Sequence, residues 1–117
     1  MKENPVAEKS KAFALRIIRL YQYLRDQKQE FVMSKQLLRC GTSIGANIRE
    51  GQRGQSKADF YAKMNISLKE ADETAYWLEL LHESGYLTEE EFNSIYTDNE
   101  EVIRLLVSIT KKQNAEG

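Results

Sequence analysis

Apolar residues recur at spacings of three and four along nearly the whole chain, the period of an α-helix packed on one side. Phe13, Ile17, Leu20 and Leu24, with Tyr21 beside them, form a first stripe. Asn4 as N-cap and Pro5 at the first helical position open it, and the helix is predicted to end near Gln27. Asp26-Gln27-Lys28-Gln29-Glu30 reads as a polar connector. Read as a helix from Ser34, the next segment places Leu37, Gly41, Ile44 and Ile48 on one face and Lys35, Arg39, Arg49 and Arg53 on the opposite one. Met33 can staple onto Leu38, and this second helix should fade where Gly51-Gln52-Arg53-Gly54-Gln55 reads as a turn. Ser56 with Asp59 resembles a capping box in which Asp replaces the usual Glu or Gln. It opens a third helix whose core face is Phe60, Met64, Ser67, Ala71, Ala75 and Leu78, about 28 residues and about 42 Å long. Gly85 supplies its stop. Thr88-Glu89-Glu90-Glu91 is a full capping box for a fourth helix carrying Phe92, Ile95, Tyr96, Val102, Ile103, Leu106 and Ile109, predicted to fray after Lys112.

No segment alternates in the manner of a strand, and the connectors are short enough to make sequential helices antiparallel. The expected fold is all-α, an antiparallel up-down-up-down four-helix bundle forming one domain over residues 1–117. Two details bear on assembly. Gly41 and Gly45 each cost about 1 kcal/mol against alanine in a helix interior, which calls for a close helix approach, or marks a kink at Gly45. On helix three, Ile66, Trp77, Leu80 and Leu81 lie roughly 60–160° from the core face, too far round for one core to bury them all. Leu81 is within reach of the neighbouring helices, whereas Ile66, Trp77 and Leu80 read as an interface, and Leu15 and Ile18 show a similar excess on helix one. The chain is predicted to be a homo-oligomer.

Length and charge narrow the class. The 117 residues suffice for one core without staples, and the single Cys40 cannot form an internal disulfide. No apolar run approaches the roughly 20 residues that span a bilayer, and the first residues lack the apolar core of a signal peptide, so a soluble cytoplasmic protein is expected. A net charge of −1 argues against a general nucleic-acid binder. Its distribution is uneven: residues 31–69 hold seven Lys or Arg against Glu50 and Asp59, while residues 70–103 hold eleven acids and no Lys or Arg. Mutual neutralisation of these surfaces, within a bundle or between subunits, is the first expectation.

The run QLLRCGTSIGANIREGQRGQSKADFYAKMNISLKEADETAYWLELL resembles the signature of the 23S rRNA-intervening sequence proteins, small bacterial four-helix bundles. The likeness centres on Ser43-Ile44, Asn47-Ile48-Arg49-Glu50-Gly51, Ser56-Lys57 and Phe60, and extends more loosely over the rest of the chain. It implies an antiparallel four-helix bundle that assembles as a ring-like homopentamer, with no enzyme activity and no cofactor. More distantly, the chain is similar to the accessory proteins of diversity-generating retroelements, whose pentamers bind nucleic acid and a reverse transcriptase through a basic surface. This chain departs from them in its acidic balance, and from the family pattern in having Gly41 and Gly45 where Ala and Pro are common.

Catalytic chemistry finds little support. Glu79 and His82 have the Glu-x-x-His spacing of di-iron bundles, but a second such pair is needed and His82 is the only histidine. Cys40 reads as a structural thiol, and residues 51–54 lack the Gly-Lys-Ser/Thr ending of a phosphate loop. No catalytic, cofactor or metal residue is assigned. Asn47, Glu50 and Gly51 are expected to tie down the helix-two to helix-three turn through backbone hydrogen bonds. Arg49, Arg53 and Lys57, gathered by that turn, are the candidates for contact with an anion. Two functions remain in view: a homo-oligomeric scaffold that binds an unidentified protein, and a ring that binds RNA or DNA weakly. No membrane partner is expected.

Overall fold

A computed structural model describes residues 4–116; residues 1–3, part of the segment read above for a leader, and residue 117 lie outside the described residues. Four helices run in sequence, α1 (Pro5–Asp26), α2 (Met33–Gln52), α3 (Lys57–Glu83) and α4 (Glu89–Glu116). α2 packs on α1 and on α3, α4 packs on α3 and closes against α1, and the diagonal pairs stay apart. The result is the up-down-up-down bundle, 46 × 25 × 21 Å.

Each helix starts and stops for a local reason. Asn4 Oδ1 accepts from the Ala7 amide at 3.3 Å and Pro5 opens α1. Ser56 Oγ accepts from the Asp59 amide at 3.1 Å. Thr88 and Glu91 exchange both bonds of the capping box, at 2.8 and 3.1 Å. Gly85 stops α3 with a φ of +90°, a conformation that costs a side chain energy. α4 continues through Glu116 rather than fraying after Lys112, since Gln113, Asn114, Ala115 and Glu116 include neither glycine nor proline.

The start of α2 is not the one expected. Its N-cap, Val32, has no side-chain acceptor to offer. The carboxylate of Glu30 does the capping from two residues earlier, accepting from the amides of Val32, Met33 and Ser34 at 3.1, 3.0 and 2.7 Å. Gln29, at a φ of +52°, turns the chain so that this carboxylate reaches back over the helix end, and Ser34 Oγ returns a bond to the Glu30 carbonyl at 2.8 Å. The connector read as merely polar therefore holds a buried, fully engaged acid.

The core is built from the predicted stripes. Phe13, Ile17 and Leu24 of α1, Leu37, Ile44 and Ile48 of α2, Met64, Ala71 and Leu78 of α3, and Ile95, Val102 and Leu106 of α4 are all buried. α2 runs unbroken through both glycines, and they serve packing: a Cβ on Gly41 would stand 2.9 Å from two carbons of Ile17, and one on Gly45 would stand 3.3 Å from Ser10 Oγ. α3 is turned slightly from its expected face. Tyr61 and Thr74 are buried while Phe60 and Ala75 are half-buried, and Leu81 joins the core. Polar bonds cross between helices inside the core and fix their register. Ser67 Oγ donates to the Ile44 carbonyl at 2.8 Å, Asn99 Nδ2 to the Ala71 carbonyl at 3.0 Å, and Thr74 Oγ1 to Cys40 Sγ at 3.2 Å.

Two outcomes test this architecture. Ile48→Ala should cost about 2–5 kcal/mol and Arg39→Ala under about 1 kcal/mol in urea unfolding, and equal costs would refute the assignment of faces. Glu30→Ala should cost about 0.5–2 kcal/mol at pH 7. Burial pushes the Glu30 carboxyl up, but the three amides and the Ser34 hydroxyl outweigh it and hold it below its ordinary value of 4.5. A lowered acid stabilises the fold above the unfolded value and loses that contribution as pH falls through the folded one. The gap between wild type and Glu30→Ala should thus narrow as pH drops below 4.5; a gap independent of pH would exclude the charged cap.

Candidate functional site

The turn between α2 and α3 is tight. The Arg53 amide donates to the Glu50 carbonyl at 3.2 Å and the Gly54 amide to the Gly51 carbonyl at 3.1 Å. Gly51 is buried, and a Cβ there would lie 2.7 Å from Met64 Cε and 2.9 Å from Lys63 Cβ, so only glycine lets the two helices meet at this level. Of the residues expected to tie down the turn, Gly51 and Glu50 do so through their carbonyls, and Glu50 also through its carboxylate, which accepts from Lys63 Nζ at 2.9 Å. Asn47 does not reach the turn. Its Nδ2 donates to the Ser43 carbonyl one turn back in α2, at 2.9 Å.

Over this turn lies an open hollow of about 570 Å³, lined by Arg49, Arg53 and Lys63 together with Glu50, Asp59 and Gly54. Two of the three cations singled out from sequence line it. Lys57, the third, is exposed at the first residue of α3 and does not line the hollow; Lys63, six residues on, stands in that position. Sequence spacing alone does not choose between them, because the choice depends on the direction in which α3 leaves the turn. Arg49 and Glu50 also line a second hollow, about 520 Å³, between the small residues Ala7, Ser10 and Ala14 of α1 and Gly45 and Ala46 of α2.

Elsewhere, side chains with chemical potential are engaged. Arg39 pairs with Glu70 at 3.4 Å and with Glu73, and Glu73 also accepts from Trp77 Nε1 at 3.0 Å. Across the α1–α4 seam, Lys9 pairs with Glu101 and Arg16 with Asp98, at 2.7 and 2.5 Å. Of these pairs, only those of Arg39 join the basic stretch 31–69 to the acidic stretch 70–103; Lys9 and Arg16 belong to α1. Glu79 and His82 face different partners. Glu79 accepts from the Tyr96 hydroxyl at 2.6 Å, a bond that with partial burial pushes the phenol up to about 12, whereas His82 stacks on Phe92 at 4.3 Å and bonds to Glu89 at 3.0 Å. Among the described residues no group of three or more His, Cys, Asp or Glu is placed to hold a metal ion. The Cys40 thiol is fully buried, and burial pushes it up to about 11, out of the range of a nucleophile at neutral pH. No helix among the described residues is long and apolar enough to cross a membrane.

The bundle also sorts charge along its length. The half that contains the α2–α3 turn, residues 4–14, 43–69 and 104–116, carries ten Lys or Arg and four Asp or Glu. The other half, residues 15–42 and 70–103, carries six against thirteen. A nearly neutral molecule is thus basic at one end and acidic at the other.

Large apolar side chains remain on the surface in two helical strips. Leu15 and Ile18 are exposed on α1, and Ile66 and Tyr76 on α3. Trp77 and Leu80, expected to share the α3 strip with Ile66, are half-buried; Trp77 packs against the core and is held by Glu73, so Tyr76 takes the exposed position beside it.

Nothing matches this chain among curated proteins. Among solved structures, one match is the 1.70 Å crystal structure of a protein of unknown function from the S23 ribosomal protein family of Bacteroides thetaiotaomicron VPI-5482. It is 58% identical, covers 95% of this chain and 99% of its own, and superposes with a TM-score of 0.92. The model of the 23S rRNA-intervening sequence protein family matches residues 2–108, and with four antiparallel helices and the turn described above, the chain belongs to that family.

Proposed function

We propose that the chain is a non-enzymatic subunit of a homo-oligomeric ring that acts as a cytoplasmic scaffold for another protein. The observation that carries this reading is the placement of the two exposed apolar strips. α1 and α3 each pack on α2 and α4 but not on one another, so Leu15 and Ile18 look out from one side of the bundle and Ile66 and Tyr76 from the opposite side. An isologous dimer uses the same patch on both partners and would leave one strip wet. Two different patches on opposite sides fit a heterologous contact, repeated until it closes on itself. The family resemblance supplies the number five. In such a ring the side walls are consumed and the bundle ends remain free, so the ends are where a partner would be met. Ile66→Glu and Leu15→Glu should each yield a smaller, still helical species in sedimentation velocity. Mixed one to one, the two should recover a single contact and stop at a dimer, whereas an unchanged mass for either variant alone would sink this interface.

A second reading, a ring that binds RNA or DNA, draws on the charge sorting. Acids that would repel a polyanion gather in the half away from Arg49, Arg53 and Lys63, and at a Debye length of about 8 Å only the local cations are felt. Glu50 and Asp59 in the same hollow keep the local excess small, so weak, salt-sensitive binding is expected. Titration of a labelled oligonucleotide at low salt should show it, and Arg49→Glu with Arg53→Glu should remove it while the oligomer persists. No binding by the wild type would leave the protein scaffold alone in the field.

A further inference from the structure

The loop between α1 and α2 ends in two large apolar residues facing solvent. Val32 is 74% exposed and Phe31 53%, the former more than any other large hydrophobic among the described residues. Such residues on a slack loop would mean little. Here the Glu30 carboxylate grips the Val32, Met33 and Ser34 amides, so the pair is held in place at the tip of the bundle, and binding through it would forfeit little conformational freedom. The tip belongs to the acidic half. Glu83, at the end of α3, and Glu89 and Glu90, at the start of α4, are exposed at the same end of the bundle.

The complement to this end is on the same molecule. The opposite end presents the open hollow of about 570 Å³ over the α2–α3 turn, roomy enough for an apolar side chain and flanked by Arg49, Arg53 and Lys63. The lesser charges match as well. Lys28 and Lys35, exposed beside the tip, would find Asp59 in the hollow, where Glu50 is already held by Lys63. We propose that copies of this chain associate head to tail along the bundle axis, with Phe31 and Val32 of one copy seated in the turn hollow of the next. This contact is axial and uses neither outer strip, so it stands whether or not the lateral ring forms. If it does form, cyclic symmetry turns all like ends the same way, and a basic face meets an acidic face with every subunit contact repeated.

The test uses charge reversal in pairs. Arg49→Glu with Arg53→Glu makes both ends acidic, and Glu83→Lys with Glu90→Lys makes both ends basic. Sedimentation velocity of nuclease-treated protein should show the wild type forming multiples of its basal species at about 10 mM salt, where charges are felt over about 30 Å, and reverting at about 1 M. Each reversed variant alone should stay at the basal size, and a one-to-one mixture should restore the multiples. Phe31→Ser, which leaves every charge in place, should weaken association about tenfold or more. The proposal is overturned if the wild type does not grow at low salt, if either reversed variant grows alone as the wild type does, if the mixture fails to recover, or if Phe31→Ser has no effect. Growth that disappears on nuclease treatment would assign the basic end to a polyanion instead.

Discussion

The second helix must lie closer to its neighbours than side chains ordinarily allow, and the rest of the bundle is arranged around that approach. Gly41 faces Ile17 of α1, and Gly51 faces Met64 and Lys63 of α3, each so near that even a methyl group would collide. Ridges of one helix can sink fully into the surface of the next only where such side chains are missing, and three paid-for glycines in one helix mean that contact repays a loss of about 1 kcal/mol each. The tight packing of α2 has a counterpart in the seam between α1 and α4. There the helices meet less closely, exposed ion pairs such as Arg16 with Asp98 span the gap, and a hollow opens beside Leu20, Tyr23 and Ile95. Exposed pairs of this kind contribute under about 1 kcal/mol each, so cohesion rests on α2 and α3.

Much of this was legible because the stripes on α1, α2 and α4 are narrow. A helix with one apolar face can be oriented from its period, as Leu37, Ile44 and Ile48 were. α3 was harder because it lies between α2 and α4 and carries apolar residues well round its circumference. Its burial is decided by neighbours rather than by its own pattern, which is why Tyr61 replaced Phe60 in the core and Trp77 turned partly inward. The Glu30 cap was invisible for a different reason. Recognised caps place the acceptor next to the helix, whereas here a left-handed Gln29 swings a more distant carboxylate into position. Asn99 could have been found, since it sits four residues after Ile95 and three before Val102 on the core face of α4.

The turn cations show how far local sequence carries a site. Arg49, Arg53 and Lys57 were grouped because the turn was expected to gather them whatever its shape, and Arg49 and Arg53 do share the hollow. Lys57 and Lys63 could not be ranked without the direction in which α3 leaves the turn, which the Ser56 cap and the missing side chain at Gly51 decide. The separation of charge along the bundle follows from topology. In an up-down bundle each hairpin gathers consecutive residues at one end, so the basic stretch around the α2–α3 turn and the acidic stretch around the α3–α4 turn become opposite poles.

The buried thiol of Cys40 equips the molecule with an internal clock. It is enclosed between α2 and α3, bonded by Thr74 and held protonated, so a thiol reagent in solution meets it only when those helices part. The rate of its modification under native conditions then follows the opening of the α2–α3 hairpin, the most tightly packed unit of the bundle: its open population when reclosing outpaces the reagent, its opening rate when the reagent is faster. A single native cysteine thus reports the breathing of the core without any label having to be engineered.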